Sequence, residues 1–191
     1  MSVSKKIVSK LCLAGLLVSS FSASALLDTS GKVLFQGYIY SATCEVDING
    51  QGPNSAIIEM GRYSTSEFGG TNSEVGGSGG KGQIKISLIN CPDKGTLTVK
   101  FSGKPDANNS EILSLLGDSS AGGVGIHLYK AGDLSTPLTI DGSKTLTYNI
   151  GDEENQTPDL HVNLVAKYVA TQDKVTAGDG NSEMDYTIQY N

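Results

Sequence analysis

Tryptophan is absent from the 191 residues, histidine occurs twice and proline five times. Without an indole the chain lacks a common platform for stacking on sugars, and eight tyrosines are left for that role. Five prolines and no three-residue period exclude a collagen-like structure despite 24 glycines. Basic residues are also few: 14 Lys and Arg face 20 Asp and Glu, a net charge of −6. That balance argues against an electrostatic grip on nucleic acid. With 38% hydrophobic and 18% charged residues, the chain is too apolar to stay disordered. Its length fits one domain.

Long apolar runs are missing too. The longest, Leu11 to Phe21, is interrupted by Ser19 and Ser20 and falls short of the roughly 20 residues that span a bilayer. It follows Lys5, Lys6 and Lys10 and precedes Ala23-Ser24-Ala25, the three-zone pattern of a cleaved export signal. Residues 1–25 are therefore read as a signal peptide, and a soluble mature chain of 166 residues is expected. Cleavage removes three lysines and no acids, taking the net charge from −6 to −9. It also removes Cys12 and leaves Cys44 and Cys91. Two cysteines 47 positions apart in an oxidising compartment read most simply as one disulfide. A metal site or a thiol nucleophile is the weaker alternative, because the pair offers no ligand spacing and both histidines are distant in sequence.

What the chain has in abundance is alternation of apolar and polar residues. Met184, Tyr186, Ile188 and Tyr190 share one face of a predicted C-terminal strand. Leu160, Val162, Leu164, Ala166 and Tyr168 form another such face. Ile84, Ile86 and Leu88 lead to Cys91, and Leu97, Val99 and Phe101 follow the Pro92–Gly95 turn. Val124, Ile126 and Leu128 alternate in the same way. Val33, Phe35 and Ile39 suggest an early strand interrupted at Gly37, and residues 56–60 a further short one. The one helical candidate is Ser110 to Leu116, two turns ending at Gly117. Short strands, glycine-rich turns and one cross-link predict an all-β antiparallel sandwich.

Catalytic motifs fail on context. Gly76-Gly77-Ser78-Gly79-Gly80 matches the letters of a nucleophile elbow, but no strand-to-helix turn surrounds it. Gly80-Lys81 lacks the Ser or Thr that a phosphate loop needs next. His127 and His161 sit in alternating strands, where a packed or solvent-facing role is expected. Asp152-Glu153-Glu154 reads as a solvated loop. No enzymatic activity, metal or cofactor is expected.

Several short motifs occur in a telling order: Phe35-Gln36-Gly37-Tyr38-Ile39 before Cys44-Glu45-Val46, then Ile58-Glu59-Met60-Gly61 and Ile86-Ser87-Leu88-Ile89-Asn90-Cys91. Phe101-Ser102-Gly103, Gly123-Val124-Gly125-Ile126-His127-Leu128, Val175-Thr176-Ala177-Gly178 and Tyr186-Thr187-Ile188-Gln189-Tyr190 complete it. In this sequence the mature chain resembles subunits of chaperone–usher fimbriae, the type 1-like pilin family. The resemblance implies an incomplete immunoglobulin-like β-sandwich that lacks its last strand. It implies export through the periplasm to an extracellular fimbrium, supporting bacterial adhesion. The implied partners are other fimbrial subunits, a periplasmic chaperone and an outer-membrane usher, with no nucleic acid and an unknown host receptor. A strand lent first by the chaperone, then by the next subunit, completes such a sandwich.

On this reading residues 26–37 form an N-terminal extension and 38–191 the pilin domain. Leu27, Thr29, Gly31, Val33 and Phe35 are the expected donor-strand side chains. Leu26 and Leu34 fit the opposite phase, so the register stays open. Met184, Tyr186, Ile188 and Tyr190 are expected at the groove edge and against the chaperone, with Asn191 anchored in a basic chaperone cleft. Two rival readings remain at this point. One is a free-standing secreted carbohydrate- or protein-binding β-sandwich, the other a minor adhesive tip subunit.

Overall fold

A computed structural model describes residue 32 and residues 34–37, 44–92, 94–151 and 159–191. The chain divides into two compact units, Met1–Ile39 and Tyr40–Asn191. The expected signal peptide and Leu27, Thr29, Gly31, Val33 and Ile39 lie outside the described residues. Residues 34–37 carry no regular secondary structure, so no early strand is found there, and Leu34 and Phe35 are 80% and 90% exposed.

The second unit is built from β1 (Glu45–Ile48), β2 (Glu74–Val75), β3 (Gln83–Ile89), β4 (Gly95–Gly103) and β5 (Ile112–Ser114), followed by β6 (Val124–Lys130), β7 (Asp141–Ile150), β8 (Leu160–Ala170) and β9 (Met184–Tyr190). The only helical element among the described residues is a 3-10 turn, Thr65–Glu67, closed by a capping box from Ser64. Strands β1, β3, β8, β6 and β5 lie in that order in one antiparallel sheet, with β2 added beside β8. Strands β7, β4 and β9 form the second sheet. Their inward faces share one core: Ile86, Leu88, Val162 and Leu164 from the first, Leu97, Val99 and Phe101 from the second, all at most 3% exposed. Period-two alternation produces this directly, because every second side chain of a strand points to the same face.

Two expectations need correction. Ser110 to Leu116 is not a helix but contains β5, which pairs with β6 through Leu113 and Ile126. Leu113 turns into the core while Ile112 is buried on the other face against Gly125, so two adjacent apolar residues are both satisfied by a strand. Residues 56–60 are not assigned as a strand. They do alternate as one, with Ala56, Ile58 and Met60 half-buried and Ile57 and Glu59 exposed, but no ladder partner is found among the described residues. Strand β7 is absent from the strands read above.

The glycine-rich stretch crosses β8. Gly82, at φ +70°, receives the Ala166 N–H at 2.8 Å and donates its own N–H to the Glu59 carbonyl at 2.9 Å. A side chain here would collide with the Ala166 carbonyl oxygen. Glycine thus satisfies both the left-handed backbone and the close approach.

Candidate functional site: a groove beside the last strand

The partners of β9 set up the site. Thr96 and Asn191 exchange both N–H···O bonds at 2.8 Å. Bonded and non-bonded pairs alternate along an antiparallel ladder. Gln189, Thr187 and Asp185, opposite Thr98, Lys100 and Ser102, therefore turn their backbone groups towards β4. Met184, Tyr186, Ile188 and Tyr190 turn theirs to the outer edge. Among the described residues, β4 is the sole strand partner of β9.

The side chains tell the same story. The inward residues of β4 are buried, whereas those of β9 are only half-buried. Beside β9 runs a groove of about 930 Å³, with residues 53–61 as one rim and 180–186 as the other. Its floor includes Ile86, Phe101, Ile126, Leu128 and Ala166. Met184 and Tyr186 line the groove. Ile188 and Tyr190 do not; they pack against the core further along, and Asn191 is exposed. The Tyr186 hydroxyl donates to the Pro53 carbonyl across the groove, and the Tyr190 hydroxyl donates to that of Lys94. Burial raises the pKa of Tyr186, which keeps its hydroxyl a donor. At the other end Tyr168 donates to the Gly180 carbonyl at 2.8 Å and meets Tyr63 edge-on at 6.1 Å.

Cys44 and Cys91 are joined in a disulfide that ties the start of β1 to the segment after β3. Of the expected donor-strand residues, only Phe35 is described.

A second polar cluster has no counterpart in the sequence reading. On the face of the larger sheet away from the core, Glu74 Oε1 meets His127 Nδ1 at 2.6 Å and accepts from the Tyr129 hydroxyl. Glu74 Oε2 accepts from Lys167 Nζ at 3.1 Å, and Lys167 lies 5.1 Å from the centre of the Tyr129 ring. His127 is buried, and its Nε2 has no hydrogen-bond partner among the described residues. An ionised carboxylate can only accept, so Nδ1 is the donor to Glu74. Burial pushes the Glu74 carboxyl up, but hydrogen bonds from Tyr129, His127 and Lys167 outweigh it and hold the pKa below the usual glutamate range. The Tyr129 hydroxyl is raised, first by burial and then by the neighbouring carboxylate. The cluster does not line the groove; it fastens two-residue β2 across β8 to β6.

A group with a depressed pKa stabilises the fold above its unfolded value, and that contribution fades as pH falls through the folded value. Acid unfolding below about pH 4.5 should therefore be shallower in Glu74→Gln than in the unaltered chain. Parallel urea titrations across pH 3–6 check this, and equal slopes would remove Glu74 as a source of acid sensitivity.

Among the described residues no group of three or more His, Cys, Asp or Glu side chains could hold a metal ion. Among the described residues the groove has a largely apolar floor, and the strand edge beside it at Met184 and Tyr186 has no ladder partner.

The comparisons agree with this arrangement. The family model described as "Fimbrial protein" matches residues 33–191. A type-1 fimbrial protein subunit of Serratia marcescens is 30% identical over 185 residues, covering 91% of this chain and 94% of its own. Long polar fimbria protein A of Salmonella typhimurium is 30% identical over 187 residues, 97% of each chain. A solved type I fimbria protein of Burkholderia pseudomallei is 28% identical and superposes with a TM-score of 0.52 over 79% of this chain and 91% of that one. The P pilus rod subunit, at 21% identity, shares the fold with a TM-score of 0.57 over 78% of this chain and all of its own. The chain belongs to the fimbrial protein family and is a structural subunit, exported through the periplasm and assembled outside the cell.

Proposed function

We propose that residues 26–37 of one copy fill the groove of the next, so that the subunit polymerises head to tail into a fimbrium that supports adhesion. The observation that carries this reading is the outer edge of β9, where half-buried Met184 and Tyr186 stand beside an apolar groove. An inserted strand would take up free backbone groups on both rims and cover apolar side chains. Leu27, Thr29, Gly31, Val33 and Phe35 have the spacing to send successive side chains inward. Burying about four apolar side chains contributes roughly 6–12 kcal/mol before ordering costs. The same edge would first pair with the periplasmic chaperone, with Met184, Tyr186, Ile188 and Tyr190 alternating against its strand and Asn191 as the anchor. The outer-membrane usher would then hand the subunit to the growing polymer.

Chains lacking residues 26–37 keep the groove but lose the donor. Mixed with full-length chains, they should accept a strand, fail to donate one and so terminate growth. Fibre lengths in electron micrographs should shorten as their share rises. Lengths independent of that share would count against strand donation.

A further inference from the structure

The rim at residues 53–61 poses a physical problem, because an unpaired segment should not hold an extended form in water. We infer that Gln51 is a positioning residue for strand insertion, its carboxamide standing in for a neighbouring strand on the outer side of that rim. This rests on the donor-strand reading above. The Ile57 N–H donates to Gln51 Oε1 at 3.0 Å, and Gln51 Nε2 donates to the Ile57 carbonyl at 3.1 Å. One planar amide thus satisfies both backbone groups of a single residue, as the facing residue of a bonded antiparallel pair would.

Gln51 is itself held by a built turn. The Asp47 carboxylate accepts from the Gly50 N–H at 2.7 Å and the Gly52 N–H at 2.9 Å, while the Gln51 N–H donates to the Ile48 carbonyl at 2.9 Å. Asn49, Gly50 and Gly52 adopt the left-handed φ values of 51°, 76° and 89° that this turn requires.

The consequence lies in the alternation. The Ile57 groups go to Gln51 and the Glu59 carbonyl goes to Gly82, and neither partner lines the groove. In an extended segment the residues on either side of Ile57 face the other way, so Ala56 and Ile58 turn their N–H and C=O groups to the groove. Gln51 thereby aims the rim before any strand arrives. A rim ordered in advance lowers the ordering cost of association. Once the strand is seated, its own ladder holds the rim. The effect therefore belongs to the association rate.

The test uses full-length chain carrying Gln51, Gln51→Glu or Gln51→Ala, mixed with a fluorescently labelled peptide of residues 26–37. Gln51→Ala should associate roughly tenfold more slowly, with the dissociation rate unchanged. Gln51→Glu keeps the acceptor for the Ile57 N–H but cannot donate to the Ile57 carbonyl, so it should fall between the two. It also decides the matter if Gln51→Ala fails to fold. Equal association rates in every folded variant, or a loss confined to dissociation, would overturn the role of Gln51 and leave strand donation standing. Failure of the unaltered chain to bind the peptide would overturn strand donation, and this role with it.

Discussion

Replacing Cys44 and Cys91 together by serine is expected to cost about 4 kcal/mol of stability. The bridge closes a loop with a sequence separation of 47. In the chain-entropy account a loop of that size removes about this much freedom from the unfolded state. Local structure offers little compensation. Strand β1 has four residues, lies at the edge of its sheet and pairs only with β3 among the described residues. Complete domains have only about 5–15 kcal/mol to lose. A domain with an open groove starts lower, so the double serine variant should be largely unfolded at 37 °C when no strand is supplied. Urea titrations followed by circular dichroism check this. A midpoint equal to that of the oxidised chain would mean that β1 docks without its tether.

The second large effect concerns the groove. Residues 38–191 with the disulfide closed should melt at a higher temperature when a peptide of residues 26–37 is present. A ligand at a hundred times its dissociation constant stabilises the state it binds by about 2.7 kcal/mol. For a domain of this size that raises the melting temperature by about 5–10 °C. A scrambled peptide has the same composition but not the alternation of Leu27, Thr29, Gly31, Val33 and Phe35, and should give no rise. A domain stable alone and indifferent to both peptides would count against strand donation by residues 26–37.

The sequence made most of this architecture legible because alternation leaves a direct trace. Strands β3, β4, β6, β8 and β9 each carry apolar residues at every second position, and those residues face the core. Strand β7 carries the same trace only in its second half, at Leu146, Tyr148 and Ile150, because Asp141 to Thr145 hold no apolar side chain. The misreading of β5 has a different cause. Ile112 and Leu113 are adjacent apolar residues, and in a segment of seven this pattern fits a helix as well as a strand. Only pairing with β6 decides between them. The groove is legible at β9 but not at its other rim, because the aim of Ala56 and Ile58 depends on a side-chain amide five to seven positions away. The Glu74 cluster leaves no trace at all. Its members lie on β2, β6 and β8, and Glu74 is 53 positions from His127.

Gly82 gives the fold a mechanical character. Through one residue the rim at Glu59 is hitched to Ala166, in the middle of β8. That strand is braced by β3 and β2 on one flank and β6 on the other. Tension arriving at the rim would pass into the best-supported strand of the larger sheet rather than peel away a loose loop. The hitch is made of main-chain bonds at a site where no side chain fits, so its strength owes nothing to side-chain chemistry. A fibre under traction would inherit one such anchorage in every subunit.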